Sequence, residues 1–226
     1  MKRTLQTLIL LGTVLLASAS RAAAPAAFTV DITGQGRPLI LIPGLASSGE
    51  VWQGTVARLC GPKTGRACHV LTLAGFAGVA PIEGDLLAQA EQQLADYIST
   101  QKLGRPAIIG HSLGGFLALK MAIDHPAQTG KLLIVDSLPA LGATQMPNAT
   151  PEQLQAMSSQ MQSPTLVLGT WIAYKDYAPR AAIEATFQQQ YAQLPGVKIA
   201  LADTARHFIM YDQPDWMHAR IEQFLD

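Results

Sequence analysis

The pentapeptide Gly110-His111-Ser112-Leu113-Gly114 sets a serine between two glycines, each two residues away. The apolar run 107–109 leads into it, and the helix-like stretch 116–124, closed by His125-Pro126, leads out. A serine on so tight a strand-to-helix turn needs neighbours without side chains, because the backbone there is crowded, and the turn presents the hydroxyl as a nucleophile. A hydroxyl is a weak nucleophile at neutral pH and must pass its proton to a base as it attacks. Among five histidines, His69 opens a strand, His111 sits inside the turn, His125 precedes a proline and His218 lies on a surface-like final helix. His207 follows the last strand candidate across the short loop 203–206 and is backed by Phe208-Ile209-Met210, so its position selects it as the base. The carboxylate that orients this imidazole must follow a strand facing the same crevice. Three aspartates compete: Asp176 beyond the run 165–168, Asp136 directly after the run 132–135, and Asp203, four residues before His207.

These side chains need a scaffold that brings distant segments together. Near-continuous apolar runs at 28–32, 39–42, 69–73, 107–109, 132–135, 165–168 and 197–201 read as strands, most of them buried on both faces of a parallel sheet. Amphipathic stretches lie between them. In one, Leu87, Ala90, Leu94, Tyr97 and Ile98 recur at helical spacing behind a possible Asp85 N-cap. Alternating strand and helix predicts an α/β sheet, whose ligand site lies beyond the carboxyl ends of the strands. A dinucleotide fingerprint would need Gly-x-Gly-x-x-Gly between the first strand and its helix. The lone Gly34-Gln35-Gly36 precedes a strand and does not fit.

The serine turn, the late histidine and the order Ser, acid, His resemble the α/β-hydrolase superfamily over nearly all of the chain after its first two dozen residues. The resemblance implies an α/β-hydrolase fold, a mostly parallel central sheet with helices on both faces, and a Ser-His-Asp triad. By that resemblance Ser112 attacks an acyl carbonyl and His207 shuttles the proton. Asp176 is the expected acid, because the family usually places it after the corresponding strand, with Asp136 as the position some branches use instead. The Leu113 N–H is one oxyanion donor. The loop Pro43-Gly44-Leu45-Ala46 is similar to the family's His-Gly-x loop, with proline where histidine is commoner, and implies Leu45, or else Ala46, as the second. Family members often carry a helical cap. Here the interval 141–163 has room for one helix, over 151–161, so the lid is expected to be very short. Met146, Met157 and Met161 either line its mouth or pack on the sheet.

Composition bounds the rest. The 226 residues are 49% apolar and 14% charged, as in a folded domain with a sizeable core. Sixteen basic residues balance sixteen acidic ones, so no net charge attracts nucleic acid over long range, and no nucleic-acid partner is expected. Lys2 and Arg3, the apolar run 8–17 and an alanine-rich exit to Ala24 have the layout of a secretory signal peptide, too short to remain as a membrane span. The expected organisation is thus a signal over 1–24 and one hydrolase domain over 25–226, exported to the periplasm or secreted. An oxidising compartment permits a structural disulfide between Cys60 and Cys68, and the intervening Gly61, Pro62 and Gly65 turn the chain back. No His or Cys cluster at ligand spacing implies a metal site, and the triad chemistry needs no metal or organic cofactor. The leading reading is a serine esterase acting on a small-molecule ester. The same triad also serves a thioesterase, a lactonase or a C–C bond hydrolase. Catalytically weaker alternatives are a capless deletion variant and a binding module that keeps the fold without turnover.

Overall fold

A computed structural model describes residues 25–139 and 161–226. The expected signal segment, Met146, Met157 and nearly all of the helix expected over 151–161 lie outside these residues. Seven strands form one sheet: β1 Phe28–Gly34, β2 Arg37–Ile42, β3 Arg66–Leu73, β4 Ala107–His111, β5 Leu132–Val135, β6 Thr165–Thr170 and β7 Lys198–Ala202. Their order is β1-β3-β2-β4-β5-β6-β7. Neighbours from β3 to β7 run parallel, and β1 alone runs antiparallel, against β3. All seven apolar runs are therefore strands, in the expected mostly parallel sheet.

Alternation along each strand divides the core into two layers, since successive side chains point to opposite faces. Ile40, Ile42, Leu71, Leu73, Ile108, Ile134 and Val167 face the helices α2 (Leu86–Thr100), α3 (Leu113–Asp124) and α4 (Arg180–Gln190), meeting Leu94, Ile98, Leu117, Met121 and Phe187. Leu39, Leu41, Val70, Ile109, Leu133, Val135 and Leu168 face the other way, toward Trp52, α1 (Gln53–Leu59) and the two final helices, α5 (Ile209–Asp212) and α6 (Pro214–Leu225). Each fully buried Leu or Ile is worth roughly 2 kcal/mol of transfer free energy. The two-sided burial explains why strands β2 to β6 read as solid apolar runs. Met161 is buried in the first layer, so of the two roles open to it, packing is the one the fold uses.

Local signals behave as their chemistry requires. Asp85 caps α2, its carboxylate accepting from the Ala88 N–H at 3.1 Å. Gly34 and Gly36 make the turn from β1 to β2, and a Cβ on Gly36 would lie 2.2 Å from the Gly65 carbonyl oxygen. Cys60 and Cys68 form the expected disulfide, with Cα atoms 5.8 Å apart, tying the end of α1 to β3. Among the described residues no helix is long and apolar enough to cross a membrane.

Candidate active site

Ser112 sits between β4 and α3 with φ 52° and ψ −119°, a left-handed conformation that costs a serine on the order of 1–3 kcal/mol. Its surroundings hold it there. The Ser112 N–H donates to the Val135 carbonyl at 2.9 Å, and its own carbonyl accepts from the N–H groups of Gly115 and Phe116. The flanking glycines are sterically required. A Cβ on Gly110 would lie 2.1 Å from the Gly114 carbonyl oxygen, and one on Gly114 would lie 2.4 Å from that of Ile42. The loop after β2 also presses on the serine: a Cβ on Gly44 would meet the Ser112 Cβ at 3.1 Å and His111 Nδ1 at 2.9 Å. Leu45 follows on this loop with its side chain exposed, while Leu113 is buried as the first residue of α3. The first N–H groups of a helix have no partner within it, so the two expected oxyanion donors lie on segments that converge at Ser112.

His207 is brought to this turn by three attachments. Its Nδ1 lies 2.6 Å from Asp136 Oδ2, its carbonyl oxygen accepts from His111 Nε2 at 2.9 Å, and its ring packs 4.6 Å from that of His111, centroid to centroid. The loop before it is anchored from β6, where the Thr170 hydroxyl donates to the Ala205 carbonyl. Phe208 backs the pair, its ring 5.5 Å from His207 and 4.9 Å from His111. With Nδ1 donating to the carboxylate, Nε2 carries the free lone pair, as a general base requires.

The geometry corrects the expected acid. Asp176, expected to orient His207, has an 83% exposed side chain whose ion-pair partner is Lys175, 3.9 Å away. Thr170 ends β6, and the turn Ile172–Tyr174 then carries the chain out to solvent before Asp176 is reached. Asp203 pairs instead with Arg180. Asp136, the alternative, stands one residue past β5 with φ 46°, its side chain fully buried. Its Oδ1 accepts from the Thr170 N–H at 3.0 Å, so both carboxylate oxygens are used. The next residue is pinned as well, the buried Tyr191 hydroxyl donating to the Ser137 carbonyl at 2.6 Å. Burial pushes the Asp136 carboxyl above its ordinary range, while the His207 hydrogen bond and charge pull it back. Burial, with the Asp136 charge adding to it, pushes the nearby Tyr174 phenol up to about 12.

Sequence reasoning passed over His111 and Thr170. His111 is lowered to about 4 by burial and by the neighbouring His207, so it stays neutral and can donate from Nε2 to the His207 carbonyl. Its place inside the serine turn was the signal available. The remaining histidines are engaged in the body of the fold: His69 with the Tyr97 hydroxyl at 2.7 Å, His218 with Thr55 at 3.0 Å, and His125 near Glu91. Among the described residues no group of three or more His, Cys, Asp or Glu side chains is placed to hold a metal ion.

A left-handed serine on a strand-to-helix turn, beside a half-exposed histidine paired to a buried aspartate from later strand ends, is the arrangement of an α/β hydrolase. The sequence profile of the alpha/beta hydrolase family matches residues 39–218, and the chain belongs to that family. It is 33% identical over 129 residues to the pimeloyl-[acyl-carrier protein] methyl ester esterase of Vibrio vulnificus, a match that takes in 57% of this chain and 48% of the relative. The chain thus spans about half the length of that relative. Among solved structures, an esterase from Exiguobacterium antarcticum superposes with a TM-score of 0.70 at 12% identity, covering 88% of this chain and 95% of the other. A thermophilic esterase from Thermogutta terrifontis gives 0.69 at 17%, covering 88% and 92%. At these identities the structures speak for the fold.

Proposed function

We propose that this protein is an exported serine hydrolase that cleaves small carboxylic esters through an acyl-enzyme. Ser112 Oγ attacks the acyl carbonyl and passes its proton to His207 Nε2. Asp136 stabilises the imidazolium that forms, and the N–H groups of Leu113 and Leu45 receive the oxyanion. The protonated His207 then gives its proton to the leaving alkoxide. Water attacks the acyl-enzyme with His207 as base, releasing the acid and restoring Ser112. The observation that carries this reading is the 2.6 Å contact between a fully buried carboxylate and His207 Nδ1, beside a serine in a strained turn. The esterase named among the relatives supports the choice of an ester. Export is supported by the layout of residues 1–24 and by the Cys60–Cys68 bridge, which suits an oxidising compartment.

The test is covalent labelling with a fluorophosphonate, read by mass spectrometry, alongside hydrolysis of short nitrophenyl esters. Wild type should be labelled at Ser112 and turn over, and Ser112→Ala should do neither while keeping its circular dichroism. Labelling at another residue, or full turnover by Ser112→Ala, overturns the assignment.

A further inference from the structure

At the end of the sheet away from Ser112 lies a cavity of about 300 Å³ lined by four cationic side chains: Arg37, Arg66, Arg105 and Lys131. Each stands at the amino end of a different parallel strand. Arg37 and Arg66 open β2 and β3, Arg105 lies two residues before β4, and Lys131 directly precedes β5. Arg37 and Arg66 are register partners on adjacent strands, a juxtaposition of like charges that costs stability unless something compensates it. Within the lining the one acidic residue is Asp226, whose side chain Arg66 meets at 2.8 Å.

Three of the four cations, Arg66, Arg105 and Lys131, are held in place by bonds that do not exhaust them. Arg105 donates from Nε and Nη2 to the Thr129 carbonyl, at 3.1 and 2.9 Å. Lys131 donates to the carbonyls of Phe224 and Leu225, at 2.8 and 3.0 Å. A guanidinium carries five N–H donors and an ammonium three, so each keeps donors beyond these bonds. Forked donors with capacity to spare, joined by an Arg37 guanidinium that no bond among the described residues occupies, suit a compact multivalent oxyanion, because for Arg66, Arg105 and Lys131 much of the ordering cost is met in the fold and not on binding. A phosphate group, with close to two negative charges at neutral pH and three acceptor oxygens, matches them better than a single carboxylate.

We propose that this cavity binds a small phosphate-bearing anion, inorganic phosphate or a phosphomonoester, at a site separate from the serine. The β2 strand alone spans roughly 20 Å between the two ends, so anion binding and ester turnover are independent properties. Titration calorimetry with inorganic phosphate and with glycerol phosphate, in sodium chloride of matched ionic strength, should give one saturable site. Arg37→Gln and Arg105→Gln should each weaken it at least tenfold while leaving ester turnover within twofold of wild type and the circular dichroism unchanged. Among the described residues Arg37 lends its side chain to no ion pair or hydrogen bond, so its variant is the one least exposed to a folding defect. Tighter binding of glycerol phosphate points to an ester as the natural ligand, and equal binding to free phosphate. The proposal fails if phosphate produces nothing beyond the chloride control, or if both folded variants bind as wild type does.

Discussion

Asp136→Asn isolates the contact on which the proposed chemistry depends. Asparagine is isosteric and keeps an oxygen for the Thr170 N–H that Asp136 now satisfies at 3.0 Å, so the turn after β5 should survive. What changes is the group facing His207 Nδ1 at 2.6 Å. The amide nitrogen turns toward the ring and donates, Nδ1 becomes the acceptor, and the ring proton moves to Nε2, where it blocks proton abstraction from Ser112. The imidazolium of the transition state also loses its buried countercharge. At about 4 Å between charge centres and an effective dielectric of about 20, that interaction is worth about 4 kcal/mol. At 1.36 kcal/mol per decade this is on the order of a thousandfold in rate, and the tautomer penalty carries the loss toward ten-thousandfold, as for the equivalent change in the serine-protease triad. The assay is kcat/KM on a short nitrophenyl ester, run beside Asp176→Asn, whose exposed carboxylate should be replaceable with less than a twofold effect. Asp136→Asn within tenfold of wild type, or a large loss in Asp176→Asn, would refute the assignment of the acid.

Removing the disulfide by Cys60→Ala with Cys68→Ala should lower unfolding free energy by about 2.5 kcal/mol on the chain-entropy estimate for so short a loop, with ester turnover unchanged. Urea titration reads it, and a difference below about 0.5 kcal/mol would show that the bridge constrains little. Glu91 supplies a pH signature. Burial, with Asp124 beside it, pushes its carboxyl up to about 7 despite Lys120. A carboxyl raised on folding stabilises the fold below its unfolded value near 4.5, and this contribution is lost as pH rises through about 7. Wild type should therefore lose stability between pH 5 and pH 8, by on the order of 1–2 kcal/mol after allowing for solvent screening, and Glu91→Gln should flatten that slope. Parallel slopes in the two proteins would contradict it.

The parts of this protein legible in its sequence are those governed by neighbours along the chain. Strands β2 to β6 show as apolar runs because two-sided burial leaves no polar face to interrupt them, while the edge strands β1 and β7 show through interrupted apolar stretches. The serine turn shows because Gly110 and Gly114 answer to steric contacts within a few residues of Ser112 and with the adjoining strand end. His207 shows because a position after the last strand restricts the choice of histidine, and Cys60 and Cys68 because their loop is short enough to close. The identity of the acid was of another kind. Asp136, Asp176 and Asp203 all follow strands in sequence, and nothing local ranks them. Contact with His207 depends on where two loops 71 residues apart in sequence finish. The turn at Ile172–Tyr174 sends Asp176 to solvent, while a left-handed residue at the end of β5, packed under Tyr191 and bonded to Thr170, leaves Asp136 buried against the imidazole. The cationic cavity depends in the same way on strand order. Arg37, Arg66, Arg105 and Lys131 span some ninety-five positions of sequence and meet only because β2, β3, β4 and β5 begin side by side.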